Sequence, residues 1–149
     1  MLLTGSSQRS IDEKQRVAIP KRFRDVIAKS SATPGMLFLT PGTDGSLNMY
    51  TDETLSSLAD QLAVASPAGQ DVRAFSRLFF SRAESADIDS QGRVRIPQEL
   101  AKHADLSKEA MLVGVRDHLE LWDLARWNRY VEKLEQSYDE LAERAFARP

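Results

Sequence analysis

Asp89-Ser90-Gln91-Gly92-Arg93-Val94-Arg95-Ile96-Pro97 stands in one half of the chain, and Asp12-Glu13-Lys14-Gln15-Arg16-Val17-Ala18-Ile19-Pro20 stands in the other. Asp12 and Asp89, Arg16 and Arg93, Val17 and Val94, Ile19 and Ile96, and Pro20 and Pro97 are each 77 positions apart. Five matches in one register mark an internal repeat. An Asp with a Gly three residues later reads as a tight turn, the carboxylate taking backbone N–H groups and the Gly supplying positive φ. A short strand follows, with Val94 and Ile96 on one face and Arg93 and Arg95 on the other. Pro97 has no N–H and ends the ladder, while its fixed φ suits the first position of the helix that Gln98-Glu99-Leu100 begins. In the first copy that helix reads Lys21-Arg22-Phe23-Arg24-Asp25-Val26-Ile27, with Phe23, Val26 and Ile27 inward and the bases outward. The repeated unit is turn, strand, proline, short helix.

Outward from the repeat, Leu3 to Ile11 is a polar strand candidate leading into the first turn. Met36-Leu37-Phe38-Leu39 is the next strand, Thr40 to Ser46 a loop dense in turn formers, and Leu47-Asn48-Met49-Tyr50 the returning strand of a hairpin. Thr51 is placed to cap a helix whose buried stripe is Leu55, Leu58, Ala59 and Leu62. The second half repeats this order: Met111 to Val115, a turn at Arg116-Asp117-His118, then Leu119-Glu120-Leu121-Trp122. Asp123 is placed to cap one final helix with Trp127, Tyr130, Val131, Leu134, Tyr138 and Leu141 on one face. The offset falls to 72 here because the first hairpin loop is five residues longer, which surface loops absorb at little cost. Between the halves, Ser66-Pro67-Ala68-Gly69 reads as a break. Gln70 to Phe80 then reads as a connecting helix with Val72, Phe75 and Phe79 inward and Arg73, Arg77 and Arg82 outward. A strand of about six residues leads from there into Asp89. The domain expectation is a first unit at 1–65, a connecting helix at 66–80 and a second unit with a C-terminal helix at 81–149.

A chain of 149 residues, 42% hydrophobic and 28% charged, has the composition of a globular protein. No apolar run approaches a membrane span, and Met1-Leu2-Leu3 is too short and too soon polar for a signal peptide. The absence of cysteine excludes disulfides and thiolate metal sites and fits a cytoplasmic protein. The net charge of −2 hides an uneven distribution. From Arg9 to Lys29 the bases Arg9, Lys14, Arg16, Lys21, Arg22, Arg24 and Lys29 face only Asp12, Glu13 and Asp25. The compensating acids Glu132, Glu135, Asp139, Glu140 and Glu143 lie near the C-terminus.

With its motifs Asp12-Glu13-Lys14-Gln15-Arg16 and Asp89-Ser90-Gln91-Gly92-Arg93, each followed by a hairpin and a helix, the chain resembles the MraZ family over nearly its whole length. That family carries two Asp-x-x-x-Arg motifs and shares the swapped-hairpin fold of AbrB-type transcription factors. Glu109 to Gly114 and Glu120-Leu121-Trp122-Asp123 resemble the family's second half. The resemblance implies a mainly β fold with added helices (α+β). Two AbrB-like swapped-hairpin units in one chain would form a small pseudo-symmetric, double-psi-like barrel with peripheral helices. It implies a bacterial DNA-binding regulator that assembles into rings. Such a regulator recognises short repeats upstream of the division and cell-wall gene cluster, its own gene included, and is cytoplasmic and nucleoid-associated. Lys14, Arg16 and Arg93 are then the DNA-contact candidates, joined by Arg95 on the same outward strand face. Asp12, Pro20, Asp89, Gly92 and Pro97 are the structural residues of the motif. Gln15 stands where the family usually has Gly, and Thr4 where an Arg is common.

Arginines opening a strand on its outward face can contact phosphates or read guanine edges. One such arginine is more often a solvated, salt-bridged strand end; two at equivalent places favour an anionic partner, because packing accounts for Val and Ile but not for Arg. Lys21, Arg22 and Arg24 could add phosphate contacts that position the protein but read first as the wet face of a short helix, and Trp127, Tyr130 and Tyr138 read as helix packing or a subunit interface. His103 and His118 stand near no nucleophile signature, and Gly42-Thr43-Asp44-Gly45 lacks the lysine of a phosphate-binding loop. No enzyme, cofactor, metal or small-molecule substrate is expected. The partners are DNA and further copies of the chain; the rival reading is a protein-interaction ring whose basic face meets an acidic partner.

Overall fold

The computed structural model describes residues 1–65 and 69–147, so Ser66-Pro67-Ala68 of the expected break lie outside the described residues. The chain is a mixed α+β fold. Its elements are β1 (Ser6–Ser10), β2 (Arg16–Ala18), α1 (Lys21–Ser30), β3 (Met36–Pro41), β4 (Leu47–Tyr50), α2 (Asp52–Ala65), α3 (Gln70–Arg82), β5 (Glu84–Asp87), β6 (Arg93–Arg95), α4 (Gln98–His103), β7 (Glu109–Val115), β8 (His118–Asp123), α5 (Leu124–Glu135) and α6 (Tyr138–Phe146). Six strands form an antiparallel sheet in the order β1-β7-β8-β4-β3-β5, and β2 pairs with β6 in a separate ribbon. The first half's β1 pairs with the second half's β7, and the second half's β5 pairs with the first half's β3.

The ribbon joins the two repeated stretches to each other. Val17 stands opposite Val94, flanked by Arg16 opposite Arg95 and Ala18 opposite Arg93. Beyond its ends, Ile19 N donates to Gly92 O and Ile96 N donates to Gln15 O, both at 2.8 Å. Val17, Val94, Ile19 and Ile96 are buried with Phe23, Ile27 and Leu100 of the two short helices against Leu37, Leu39, Leu112, Leu119 and Leu121 of the large sheet. Alternation therefore sends the valines and isoleucines of the two stretches into one core and the arginines away from it. A smaller cluster of Tyr50, Leu55 and Phe79, with Phe38 and Leu58 against it, seats α2 and α3.

The capping residues behave as the sequence predicts. Thr51 Oγ1 accepts from Thr54 N at 3.2 Å, and Asp123 accepts from Arg126 N at 3.3 Å. Several expectations need correction. Pro20 and Pro97 are not the first helical residues but the N-caps, with ψ of 145 and 142, so each is the last extended residue before its helix. The strand β3 continues through Thr40 and Pro41; the proline pairs with Leu47, and its missing N–H faces the side where β5 has already ended. His118 belongs to β8 and not to the turn, which is Arg116-Asp117 with Arg116 at φ 64.

Phe75 does not point inward. It stacks on Phe79 at 5.3 Å and keeps 42% of its surface exposed, while Phe79 is the ring buried with Tyr50 and Leu55. The single C-terminal helix is two helices that meet at Gln136-Ser137. Ser137-Tyr138-Asp139-Glu140 is a helix-start pattern, with acids in the first turn to match the helix dipole, and α6 begins there.

Candidate functional site

The site is the outward face of the β2–β6 ribbon and the turn at each of its ends. In the first turn Asp12 Oδ1 accepts from the amides of Lys14 and Arg16, both at 2.9 Å, while Oδ2 accepts from Arg16 Nε at 2.7 Å. In the second, Asp89 Oδ1 accepts from the amides of Gln91 at 2.9 Å and Arg93 at 3.0 Å, and Oδ2 accepts from Arg93 Nε at 3.0 Å. The chain closes both turns the same way, Gln15 N to Asp12 O and Gly92 N to Asp89 O. Gln15 takes φ 62 and Gly92 φ 78. One carboxylate thus satisfies two orphan amides and holds its arginine by Nε, which leaves the two terminal guanidinium nitrogens facing away from the Asp.

The Arg16 amide, followed by its guanidinium, holds the Asp12 carboxyl below the usual carboxylate range; the Arg93 amide does the same for Asp89. Both carboxylates are therefore ionised at neutral pH. The arginine side chains are 29% and 27% exposed, enough to meet a ligand and enough shielded to keep one rotamer. Because a backbone hydrogen bond joins each of the pairs 19/92 and 15/96, Arg16/Arg95 and Ala18/Arg93 are non-hydrogen-bonded pairs, in which side chains approach more closely. Arg16 and Arg95 are like charges directly opposite each other, an arrangement that costs stability, and the Asp12 carboxylate pairs with the first of them only. Arg95 is exposed and makes no ion pair among the described residues, and Lys14 is exposed at the tip of the first turn.

All four cations expected to form the site, Lys14, Arg16, Arg93 and Arg95, therefore gather on one ribbon. The sequence reading missed that the two motif strands are each other's partners, although the 77-residue offset with one valine in each strand is the trace such a pairing leaves. Sequence spacing alone also leaves Arg24 outside the site, since a solvated helix position and a phosphate contact look the same there. Arg24 Nε donates to Ile19 O at 2.9 Å, and the side chain lies across Gly92 so closely that a Cβ there would be 2.8 Å from Nε.

Outside the ribbon, burial opposes charge on His118, but hydrogen bonds to Glu120 at 2.9 Å and Asp117 at 3.0 Å outweigh it and raise its pKa above the usual value. Its ring stacks on Tyr50 at 5.1 Å.

The protein named "Transcriptional regulator MraZ" in Alkaliphilus metalliredigens is 37% identical over 143 residues, 96% of this chain and 96% of the relative. The chain belongs to the MraZ family. The MraZ proteins of Alkaliphilus oremlandii and Finegoldia magna, both also named transcriptional regulators, are 37% identical over 141 and 134 residues; they cover 95% and 90% of this chain and 94% and 90% of their own. A family model described as "MraZ protein, putative antitoxin-like" matches residues 79–149, the part that holds the second Asp-x-x-x-Arg motif of this MraZ chain. No described helix is long and apolar enough to cross a membrane.

Proposed function

We propose that this chain is a sequence-specific DNA-binding transcriptional regulator. The observation that carries the reading is the cationic face of the ribbon, where Arg95 and Lys14, which make no ion pair among the described residues, stand beside Arg16 and Arg93, each held to its aspartate through Nε. A phosphate backbone complements that charge, and guanidinium forks suit both phosphate oxygens and the O6/N7 edge of guanine. The names of its full-length relatives support a role in transcription.

The architecture behind it is read as two interlocked swapped-hairpin units, 1–65 and 81–149, joined by the helix between them. Support comes from the strand order, which runs the same in reverse when each strand is exchanged for its counterpart in the other half. Self-assembly into a ring is supported by apolar side chains left uncovered on the peripheral helices: Phe75, Leu78 and Phe80 on α3, and Tyr130 and Tyr138 on α5 and α6. Each subunit offers few cations, so a ring that engages successive DNA repeats multiplies modest affinities through effective concentration. The proposed target is DNA upstream of the division and cell-wall gene cluster, the protein's own promoter included, and the proposed location is the nucleoid.

The test is fluorescence anisotropy against DNA from upstream of its own gene, beside scrambled DNA, at two salt concentrations. Preference for the native DNA that falls with salt and disappears in Arg16→Ala with Arg93→Ala supports the reading. Equal, feeble binding to both DNAs would turn the search to protein partners of the ring.

A further inference from the structure

The two ends of the ribbon differ in one respect that the repeat brings out. At the first end Arg16 is accompanied by Arg95 from the facing strand; at the second, the residue facing Arg93 is Ala18. The strand therefore supplies a pair of guanidiniums at one end and a single one at the other. Arg24 lies at the poorer end, over Gly92, the residue next to Arg93. Its counterpart one repeat later is Ala101, and the counterpart of Gly92 is Gln15. The exchange is reciprocal: the second turn keeps a glycine and accepts a guanidinium across it, whereas the first turn carries Gln15 and faces the small Ala101 across an open cleft. Gly92 is consequently buried, and Gln15 is exposed.

Arg24 is held but not neutralised. The bond from Nε to Ile19 O fixes the side chain at the ribbon's end, and no carboxylate lies within ion-pair distance of it among the described residues; the neighbouring Asp25 is paired with Lys21 at 2.8 Å. Anchoring through Nε leaves the terminal nitrogens to reach outward, which repeats the way Asp12 and Asp89 hold Arg16 and Arg93.

We propose that Arg24 is a fourth arginine of the DNA-binding face, a phosphate contact from α1 that supplies at the second end of the ribbon what Arg95 supplies at the first. The inference rests on the DNA-binding reading above and extends it: each end presents two guanidiniums, one end drawing both from strands and the other from a strand and a helix. The spacing of the cations differs between the ends, so the ribbon lies on an asymmetric DNA element in one preferred direction.

The experiment is a salt titration of binding by the full-length protein to fluorescein-labelled DNA from upstream of its gene, with wild type, Arg24→Gln, Arg24→Lys and Arg95→Ala. Glutamine keeps an N–H donor able to reach Ile19 O, and thermal unfolding run in parallel reports any damage to the fold. Loss of one phosphate contact lowers the slope of log K against log salt by about 1. Arg24→Gln is expected to show that loss, with roughly threefold to tenfold weaker binding, Arg95→Ala to match it, and Arg24→Lys to recover the slope. Wild-type protein without preference for this DNA overturns the functional reading and the inference together. A wild type that binds, beside an Arg24→Gln variant with unchanged slope, overturns the inference alone.

Discussion

Replacing Gly92 by glutamine copies into the second turn the residue that occupies the first, and the cost of doing so depends on Arg24. Two terms contribute. A side chain at φ 78 incurs about 1–2 kcal/mol of left-handed strain, offset by about 0.5–1 kcal/mol because glycine loses more freedom on folding. The second term is local: the new Cβ would be 2.8 Å from Arg24 Nε and 2.9 Å from Cζ, so the guanidinium must leave and its bond to Ile19 O is broken. That bond involves a charged donor and contributes about 1.5–3 kcal/mol, reduced toward 1 by the partial exposure of the site. Gly92→Gln alone is expected to cost about 2 kcal/mol. In an Arg24→Ala background, which reproduces the Gln15/Ala101 environment, only the backbone term remains. Urea unfolding of the four proteins in the cycle is expected to give a coupling energy of about 1 kcal/mol, within the range for contacting residues. Additive effects would refute the reasoning, because they would mean that Arg24 does not depend on the bare backbone at position 92.

Gln15→Gly relieves a positive φ on an exposed side chain without disturbing a neighbour. A net gain of about 0.5 kcal/mol corresponds to a rise in Tm of about 1–2 °C; an unchanged or lower Tm would mean that the turn tolerates glutamine at no cost. His118 gains its carboxylate partners on folding and has a raised pKa, so the stability it contributes is fully present below its unfolded pKa of about 6.5 and is lost as pH rises through the folded value. Wild type is expected to lose stability relative to His118→Gln as pH rises above about 6.5. Parallel Tm profiles for the two proteins would show that folding leaves the imidazole pKa unshifted.

The local chemistry of the motif was legible because it is local. Asp12 and Asp89 cap turns four residues long, Val17 and Val94 alternate with arginines, and Thr51 and Asp123 cap helices, all within reach of sequence spacing. What escaped depends on partners far along the chain. Whether β2 pairs with β6 or with its own hairpin is decided by the burial of Val17 against Val94, and no propensity records that. Phe75 has the spacing of an inward residue, and only the packed structure shows that Phe79 takes the buried place. Arg24 reads as a wet helix position until the glycine beneath it is seen as the space it needs. The division of the C-terminal helix was written in Ser137-Tyr138-Asp139-Glu140 but was masked by an unbroken apolar stripe from Trp127 to Leu141.

The exchange of strands between halves also sets an order of events at the ribosome. Ser6 of β1 finds its partner only at Val113 of β7, about a hundred residues further on, and at elongation rates of about 5–20 residues per second the wait lasts some 5–20 s. During that interval β1, β2 and the outer edge of β4 are nascent chain without a sheet. The polar make-up of Ser6-Ser7-Gln8-Arg9-Ser10 suits a segment that must stay soluble and unpaired until synthesis is nearly complete.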